Sequence, residues 1–152
     1  KDRSKTFLPL NGNQVDEGES DFIVLLFHGI GTSHSAFMKL VETYLTPNDI
    51  LTYGVCLPGR MHRVNDSTQP TIRLMIYQLY EELQALHFFQ HYHSQNKKVI
   101  LIGYSYGCLI AYELIRLLLN DGVENIAGFA AISCRSPMKQ TRYNIDRDGQ
   151  VF

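Results

Sequence analysis

The stretch VILIGYSYGCLIAYELIRLLL, residues 99–119, decides the fold because it combines a strand, a tight turn and a helix. Val99–Ile102 is an uninterrupted apolar run, which is typical of a strand covered on both faces. Cys108–Leu119 is an apolar helical stretch that Asn120-Asp121-Gly122 ends. Between them, Gly103-Tyr104-Ser105-Tyr106-Gly107 predicts a sharp strand-to-helix turn with a serine at its centre.

This turn makes Ser105 a candidate nucleophile. A serine hydroxyl needs an exposed position, a base and hydrogen-bond donors for the oxyanion, and the turn supplies the exposed position at the carboxyl edge of the sheet. The free N–H groups at the start of the following helix, that of Tyr106 first, face any negative charge that develops there. The alternative is a glycine-rich turn in which Ser105 only caps the helix.

Strands and helices alternate along the rest of the chain, which predicts an α/β fold: a doubly wound parallel sheet with helices on both faces. The remaining predicted strands are Phe22–Phe27, Ile50–Cys56 and Asn125–Ile132, with a possible short edge strand within Lys1–Leu10. The remaining predicted helices are His34–Leu45 and a long one from about Thr71 to Tyr92. We expect one domain, with an edge strand and loop over residues 1–21, a core over 22–137 and a polar tail over 138–152.

A second glycine-rich turn, His28-Gly29-Ile30-Gly31, follows the predicted strand Phe22–Phe27. Carboxyl ends of parallel strands share one edge of the sheet, so this turn can aim a backbone N–H toward the serine. We expect Ile30 to be that donor, with Gly29 next. His28 either packs under the loop or takes a direct chemical role.

Composition excludes several classes of function. The 152 residues carry 14 basic and 15 acidic side chains and a net charge of -1, which offers no attraction for nucleic acid or anionic lipid. The apolar runs fall short of the roughly 20 residues that a membrane-spanning helix needs. Three cysteines without a C-x-x-C pair, and no visible leader, predict free thiols in the cytoplasm. No cysteine or carboxylate cluster joins the histidines, so we expect neither a metal nor another cofactor.

These motifs together are similar to a known family. The chain resembles the type II (editing) thioesterases of polyketide and nonribosomal peptide synthesis, within the α/β-hydrolase superfamily, from about Phe22 to Pro137. The motifs that carry the resemblance are His28-Gly29-Ile30-Gly31, Phe37, Leu57-Pro58-Gly59-Arg60, Gly103–Gly107 with Leu109–Leu114, and Ser133-x-x-Ser136-Pro137.

The resemblance implies hydrolysis of an acyl thioester on the phosphopantetheine arm of an acyl or peptidyl carrier protein, without a cofactor. Ser105 matches the family nucleophile, and Tyr106 with the Gly29–Ile30 turn matches the oxyanion donors. Tyr104 stands where the family usually has histidine, which puts the shape of the acyl pocket in question. Arg60 either contacts the pantetheine phosphate or the acidic carrier surface, or is a solvated loop residue.

The remainder of the catalytic triad is not evident in the sequence. In this superfamily the acid and the histidine follow the nucleophile, whereas the last histidine here is His93. Asp146 and Asp148 come too early in the chain for the acid. We therefore expect an amino-terminal part of the fold, whose tail resembles the start of a lid, with little activity and an open edge at Asn125–Ile132 that favours association.

Three other functions stay open from the sequence. A general carboxylesterase or lipase shares the fold and the serine turn. A non-catalytic chain that binds a carrier protein or an acyl group does not need the acid and the histidine of the triad. An acyltransferase also uses a serine at such a turn.

Overall fold

The computed structural model describes residues 6–134, which form a five-stranded sheet in the order β1-β3-β2-β4-β5. The predicted tail (138–152), with Asp146 and Asp148, lies outside the described residues, as do Ser136 and Pro137. The strands are β1 (Phe7–Pro9), β2 (Phe22–Phe27), β3 (Leu51–Val55), β4 (Lys98–Tyr104) and β5 (Ile126–Ile132). The helices are α1 (Met38–Leu40), α2 (Ile72–Ala85), α3 (Phe88–Ser94) and α4 (Tyr106–Asn120).

The sheet confirms the predicted α/β fold, but the prediction that all its strands are parallel is corrected. Strands β2 to β5 run parallel, but β1 pairs antiparallel with β3, so the sheet is mixed rather than wholly parallel. Antiparallel edge strands are common on otherwise parallel sheets. Because β3 and β4 lie on opposite sides of β2, the order of the strands reverses between β2 and β4. A crevice forms at such a reversal, beyond the carboxyl ends of the strands.

Strand β2 is covered on both faces, as its continuous apolar run predicts. Ile23, Leu25 and Phe27 pack into the larger cluster with α2, α3 and α4. Val24 and Leu26 pack on the opposite face against the segment from His34 to Asn48. None of the five is more than 1% exposed, so β2 forms the centre of the core.

The prediction of one long helix from Thr71 to Tyr92 is wrong. Helix α2 ends at Ala85, and His87 adopts φ 51°, which breaks the helix before α3 begins at Phe88. In a continuous helix, Phe88 would point away from the buried face formed by Ile76, Leu79 and Leu83, because Leu83 and Phe88 are five positions apart. The break lets Phe88 stack on Phe7 of β1, with ring centroids 4.6 Å apart.

The predicted helix over His34–Leu45 is helical throughout, but it is not one regular α-helix. The segment begins with a 3-10 turn (His34–Phe37), contains one α-turn in α1, and then widens into a π-turn (Val41–Leu45). Pro47 cannot continue the ladder of N–H donors, and the chain leaves through Asp49 at φ 53°. Only Phe37 and Val41 are buried within this segment, so little packing enforces one helical geometry.

No helix within residues 6–134 combines the length and the apolar character that a membrane span requires.

Candidate active site

Ser105 lies at the carboxyl end of β4, between the strand and α4. Its backbone adopts φ 51° and ψ -117°, a conformation that side-chain-bearing residues rarely hold and that costs on the order of 1–3 kcal/mol. The side chain is exposed, so the bend presents the hydroxyl at the surface of the crevice. Ser105 donates its N–H to the Ile132 carbonyl of β5 at 2.9 Å, which fixes the bend against the neighbouring strand.

Gly107 allows the bend to approach β2. A Cβ atom at this position would lie 2.0 Å from the Phe27 carbonyl oxygen, so only glycine fits without moving one of the two backbones. The start of α4 therefore packs directly on the end of β2. This approach brings the serine turn and the His28–Gly31 turn to one edge of the sheet.

The two predicted oxyanion donors lie on these turns. Gly29 touches the serine turn, since a Cβ atom built on it would lie 3.1 Å from the Ser105 Cβ. The Gly29 carbonyl accepts hydrogen bonds from Thr32, which closes the turn over Ile30. Within the described part of the chain, the N–H groups of Ile30 and Tyr106 donate to no acceptor. Neither N–H group is therefore engaged by another group in that part of the chain.

A cleft of about 240 Å³ opens beside the serine turn. It brings together the predicted residues Ile30, Arg60 and Tyr106 with Leu57, Pro58 and Met75. Burial raises the pKa of the Tyr106 phenol, and the neighbouring charge of Arg60 partly offsets the rise. The cleft is thus lined by polar side chains, Arg60, Thr68 and Gln69 among them, as well as by apolar ones, and Ser105 itself is not part of its lining.

Tyr104 packs against Gly29 on the face of the sheet that also carries Phe37. Its Cδ1 atom lies 3.3 Å from the Cβ position of Gly29, and its ring meets Phe37 edge to face with centroids 6.3 Å apart. Tyr104 is absent from the lining of the 240 Å³ cleft.

His28 packs under the loop rather than facing the serine. It is 1% exposed, and its Nδ1–H donates to the Gly29 carbonyl at 3.0 Å. Burial lowers its pKa, and the charge of Arg60 lowers it further, so the ring is neutral at pH 7. Among residues 6–134, no side chain hydrogen-bonds with the Ser105 hydroxyl. Over the same residues, no group of three metal-binding side chains comes together.

An ion-pair network that sequence reasoning missed holds the Leu57–Arg60 loop. Arg63 is 3% exposed, and its guanidinium donates to both carboxylate oxygens of Glu82 on α2, at 2.7 and 2.9 Å. It also donates to the Cys56 carbonyl at 2.9 Å and to Asp66 at 2.8 Å. The Arg63 carbonyl accepts the Gly59 N–H, so the network ties the loop that carries Arg60 to α2. Arg63 and Glu82 lie 19 positions apart, and no local pattern pairs them.

The charge of Glu82 makes the stability of this network depend on pH. Burial by itself would raise the pKa of Glu82, but hydrogen bonds from Arg63 and Thr6 outweigh burial and hold the pKa below its usual value. The stabilisation is therefore complete above the unfolded-state pKa of about 4.3 and is lost as pH falls through the lower folded-state pKa. We expect Glu82→Gln to lower the free energy of unfolding at pH 7, with the difference from wild type shrinking below about pH 4.

Urea unfolding across this pH range measures that difference. Glu81→Gln is the matched control, because Glu81 is exposed on the same helix and belongs to no such network. A difference between Glu82→Gln and wild type that stays constant down to pH 3 contradicts the assignment of the pH dependence to Glu82.

Residues 22–150 match the family model of the thioesterase domain. This chain belongs to the thioesterase domain family. Among curated protein sequences, none matches it. The membership confirms the resemblance on which the α/β-hydrolase fold was predicted.

Solved structures of type II thioesterases share the fold. The chain is similar to YbtT, a type II thioesterase from the yersiniabactin NRPS/PKS pathway, with 25% identity over 87% of this chain and 48% of that one and a TM-score of 0.66. It is also similar to BorB, the type II thioesterase of the borrelidin cluster, with 20% identity over 92% of this chain and 53% of that one and a TM-score of 0.68. A third similar structure is RedJ, a thioesterase from the prodiginine pathway of Streptomyces coelicolor, with 22% identity over 81% of this chain and 45% of that one and a TM-score of 0.66. This thioesterase-domain chain thus spans about half the length of these structures.

Proposed function

We propose that this chain carries the nucleophile and the oxyanion donors of a serine thioesterase that acts on acyl groups attached to a carrier protein. The observation that carries the proposal is the exposed Ser105 hydroxyl on a left-handed bend, beside the unpaired N–H groups of Ile30 and Tyr106. Such donors stabilise the negative charge of a tetrahedral intermediate, which is typically the largest electrostatic contribution to acyl transfer.

The reaction follows from this arrangement. The Ser105 oxygen attacks the thioester carbonyl, its proton passes to a base, and the pantetheine thiol leaves as the acyl-serine forms. Water then attacks the acyl-serine, which releases the carboxylic acid and restores the hydroxyl. Within residues 6–134, no side chain forms a hydrogen bond with the Ser105 hydroxyl as such a base would. All six histidines of the chain precede Ser105 in the sequence.

The cleft beside Ser105 suits an acyl chain attached to a phosphopantetheine arm. Ile30, Met75 and Tyr106 offer apolar walls to the acyl group. Arg60 at the rim supplies a positive charge for the phosphate of the arm or for an acidic carrier surface. The association of YbtT and RedJ with biosynthetic pathways of this kind supports a carrier-bound substrate for the present chain.

The test compares hydrolysis of one acyl group presented as a carrier-protein thioester and as an oxygen ester. We expect the thioester to react faster, but at a rate roughly 10⁴-fold or more below that of YbtT, because a serine without its base loses most of its activity. A rate equal to that of YbtT would show that the chain holds a working base and would overturn this expectation.

The same assay separates the alternatives. Preference for the oxygen ester indicates a carboxylesterase or a lipase, and transfer of the acyl group to a second thiol rather than to water indicates an acyltransferase. Binding of the carrier protein without acylation of Ser105 indicates a non-catalytic chain.

A further inference from the structure

Arg60 is a half-buried cation in the lining of the cleft beside the serine turn. Within residues 6–134, its guanidinium forms no hydrogen bond and no ion pair. The carboxylates of Asp66 and Glu82 bind the neighbouring Arg63 and leave Arg60 without a counter-charge. Because a charge that is partly removed from water is costly unless it is paired, Arg60 is a favourable site for an incoming anion.

Two hydroxyl groups in the lining of the cleft can donate hydrogen bonds to the same anion. They belong to Thr68 and Tyr106, and neither forms a hydrogen bond within the described part of the chain. Burial raises the pKa of the Tyr106 phenol, so the phenol keeps its proton at pH 7. Among the described residues that line the cleft, Arg60 is the only charged one, so no carboxylate repels an anion there.

We propose that this cleft binds a carboxylate at the far end of a short acyl group and that Arg60 is the residue that selects it. The substrate class is then the monothioester of a dicarboxylic acid. The inference rests on the proposed thioesterase function, because it takes the reacting carbonyl to lie at the N–H groups of Ile30 and Tyr106.

The substrate also carries the phosphate of the arm, but the position of Arg60 favours the carboxylate. Arg60 lines the same cleft as Ile30 and Tyr106, whose N–H groups are the proposed donors to the thioester oxygen. In a phosphopantetheine thioester, two amide groups and the carbons between them separate the sulfur from the phosphate. The phosphate of an extended arm therefore lies far from these donors, whereas a carboxylate a few carbons beyond the reacting carbonyl lies within the cleft.

The volume of the cleft, about 240 Å³, limits the length of the acyl group. A water molecule takes up about 30 Å³ in the liquid, so the cleft holds roughly eight atoms of that size. A glutaryl group is of this size, whereas a long-chain fatty acyl group exceeds it.

The experiment measures binding to the Ser105→Ala chain by calorimetry at pH 7, so that no hydrolysis interferes. The two ligands are the N-acetylcysteamine thioesters of glutaric acid and of its monoamide, which have the same shape, differ in charge and lack a phosphate. We expect the carboxylate ligand to bind about tenfold to hundredfold more tightly, the effect of hydrogen bonds to a charged group.

Two variants in the same background assign this difference to Arg60. Arg60→Gln should abolish it. Arg73→Gln is the matched control and should preserve it, because Arg73 lies over the Tyr77 ring on α2 and is absent from the lining of the cleft.

Equal affinities of the two ligands, or no measurable binding of the carboxylate ligand, would overturn the proposal. It is also overturned if Arg60→Gln weakens only a phosphopantetheine thioester of the neutral acyl group, since Arg60 then binds the arm phosphate. These affinities do not depend on Ser105 acting as a nucleophile, and failure of that role would show instead in covalent labelling of the wild-type chain.

Discussion

We expect Ser105→Ala to abolish the rapid labelling of this chain by a fluorophosphonate probe. The probe forms a bond to a serine oxygen and develops negative charge on its phosphoryl oxygen, which the N–H groups of Ile30 and Tyr106 would stabilise in the proposed site. Oxyanion donors and binding alone leave roughly 10³-fold acceleration over water when a triad is incomplete, so Ser105 should react about 10³-fold faster than other serines. The increase in intact mass with time measures this rate.

Ser133→Ala is the matched control for this substitution. Ser133 is also exposed and also has a positive φ, of 54°, but it follows β5 rather than β4. We expect its loss to leave the labelling rate unchanged. Equal labelling of Ser105→Ala and wild type would remove the nucleophile from the proposed reaction.

We expect Arg63→Met to destabilise the folded chain by about 3–5 kcal/mol, the range for removing one partner of a buried ion pair. The substitution preserves most of the apolar volume but leaves the Glu82 carboxylate and the Cys56 carbonyl without the guanidinium that now binds both. Because Arg63 also anchors the Leu57–Arg60 loop, the cleft beside Ser105 should loosen as well. Urea unfolding at pH 7 measures the change in free energy.

Two further variants distinguish the network from general loss of charge. Arg116→Met removes an exposed pair with Glu113, in which the Arg116 side chain is 57% exposed, and should cost less than about 1 kcal/mol. Adding Glu82→Met to Arg63→Met should recover part of the lost stability, since the half-buried Glu82 carboxylate is then no longer left without the guanidinium. Equal losses for Arg63→Met and Arg116→Met would contradict the role given to the network.

The serine bend could be predicted from the sequence because the local pattern that specifies it lies within residues 99–119. An apolar strand, two glycines flanking a serine and an apolar helix follow one another, and the observed bend at Ser105 needs no distant information. The same holds for β2, five of whose six apolar residues are buried, with their side chains divided between the two faces of the sheet.

Features that depend on distant contacts could not be predicted in this way. The break at His87 is set by the packing of Phe88 on Phe7, a residue 81 positions away in the sequence. The pairing of Arg63 with Glu82 likewise requires the fold to bring a loop against α2. The sequence left two interpretations of His28 open, and only the burial of its ring distinguishes them.

The most direct test of the central claim is a crystal structure of the chain after reaction with a phosphonate probe. The account predicts a bond to the Ser105 Oγ, with the phosphoryl oxygen about 2.7–3.1 Å from the N–H nitrogens of both Ile30 and Tyr106. A probe attached to a different residue, or a phosphoryl oxygen directed away from both nitrogens, would contradict it.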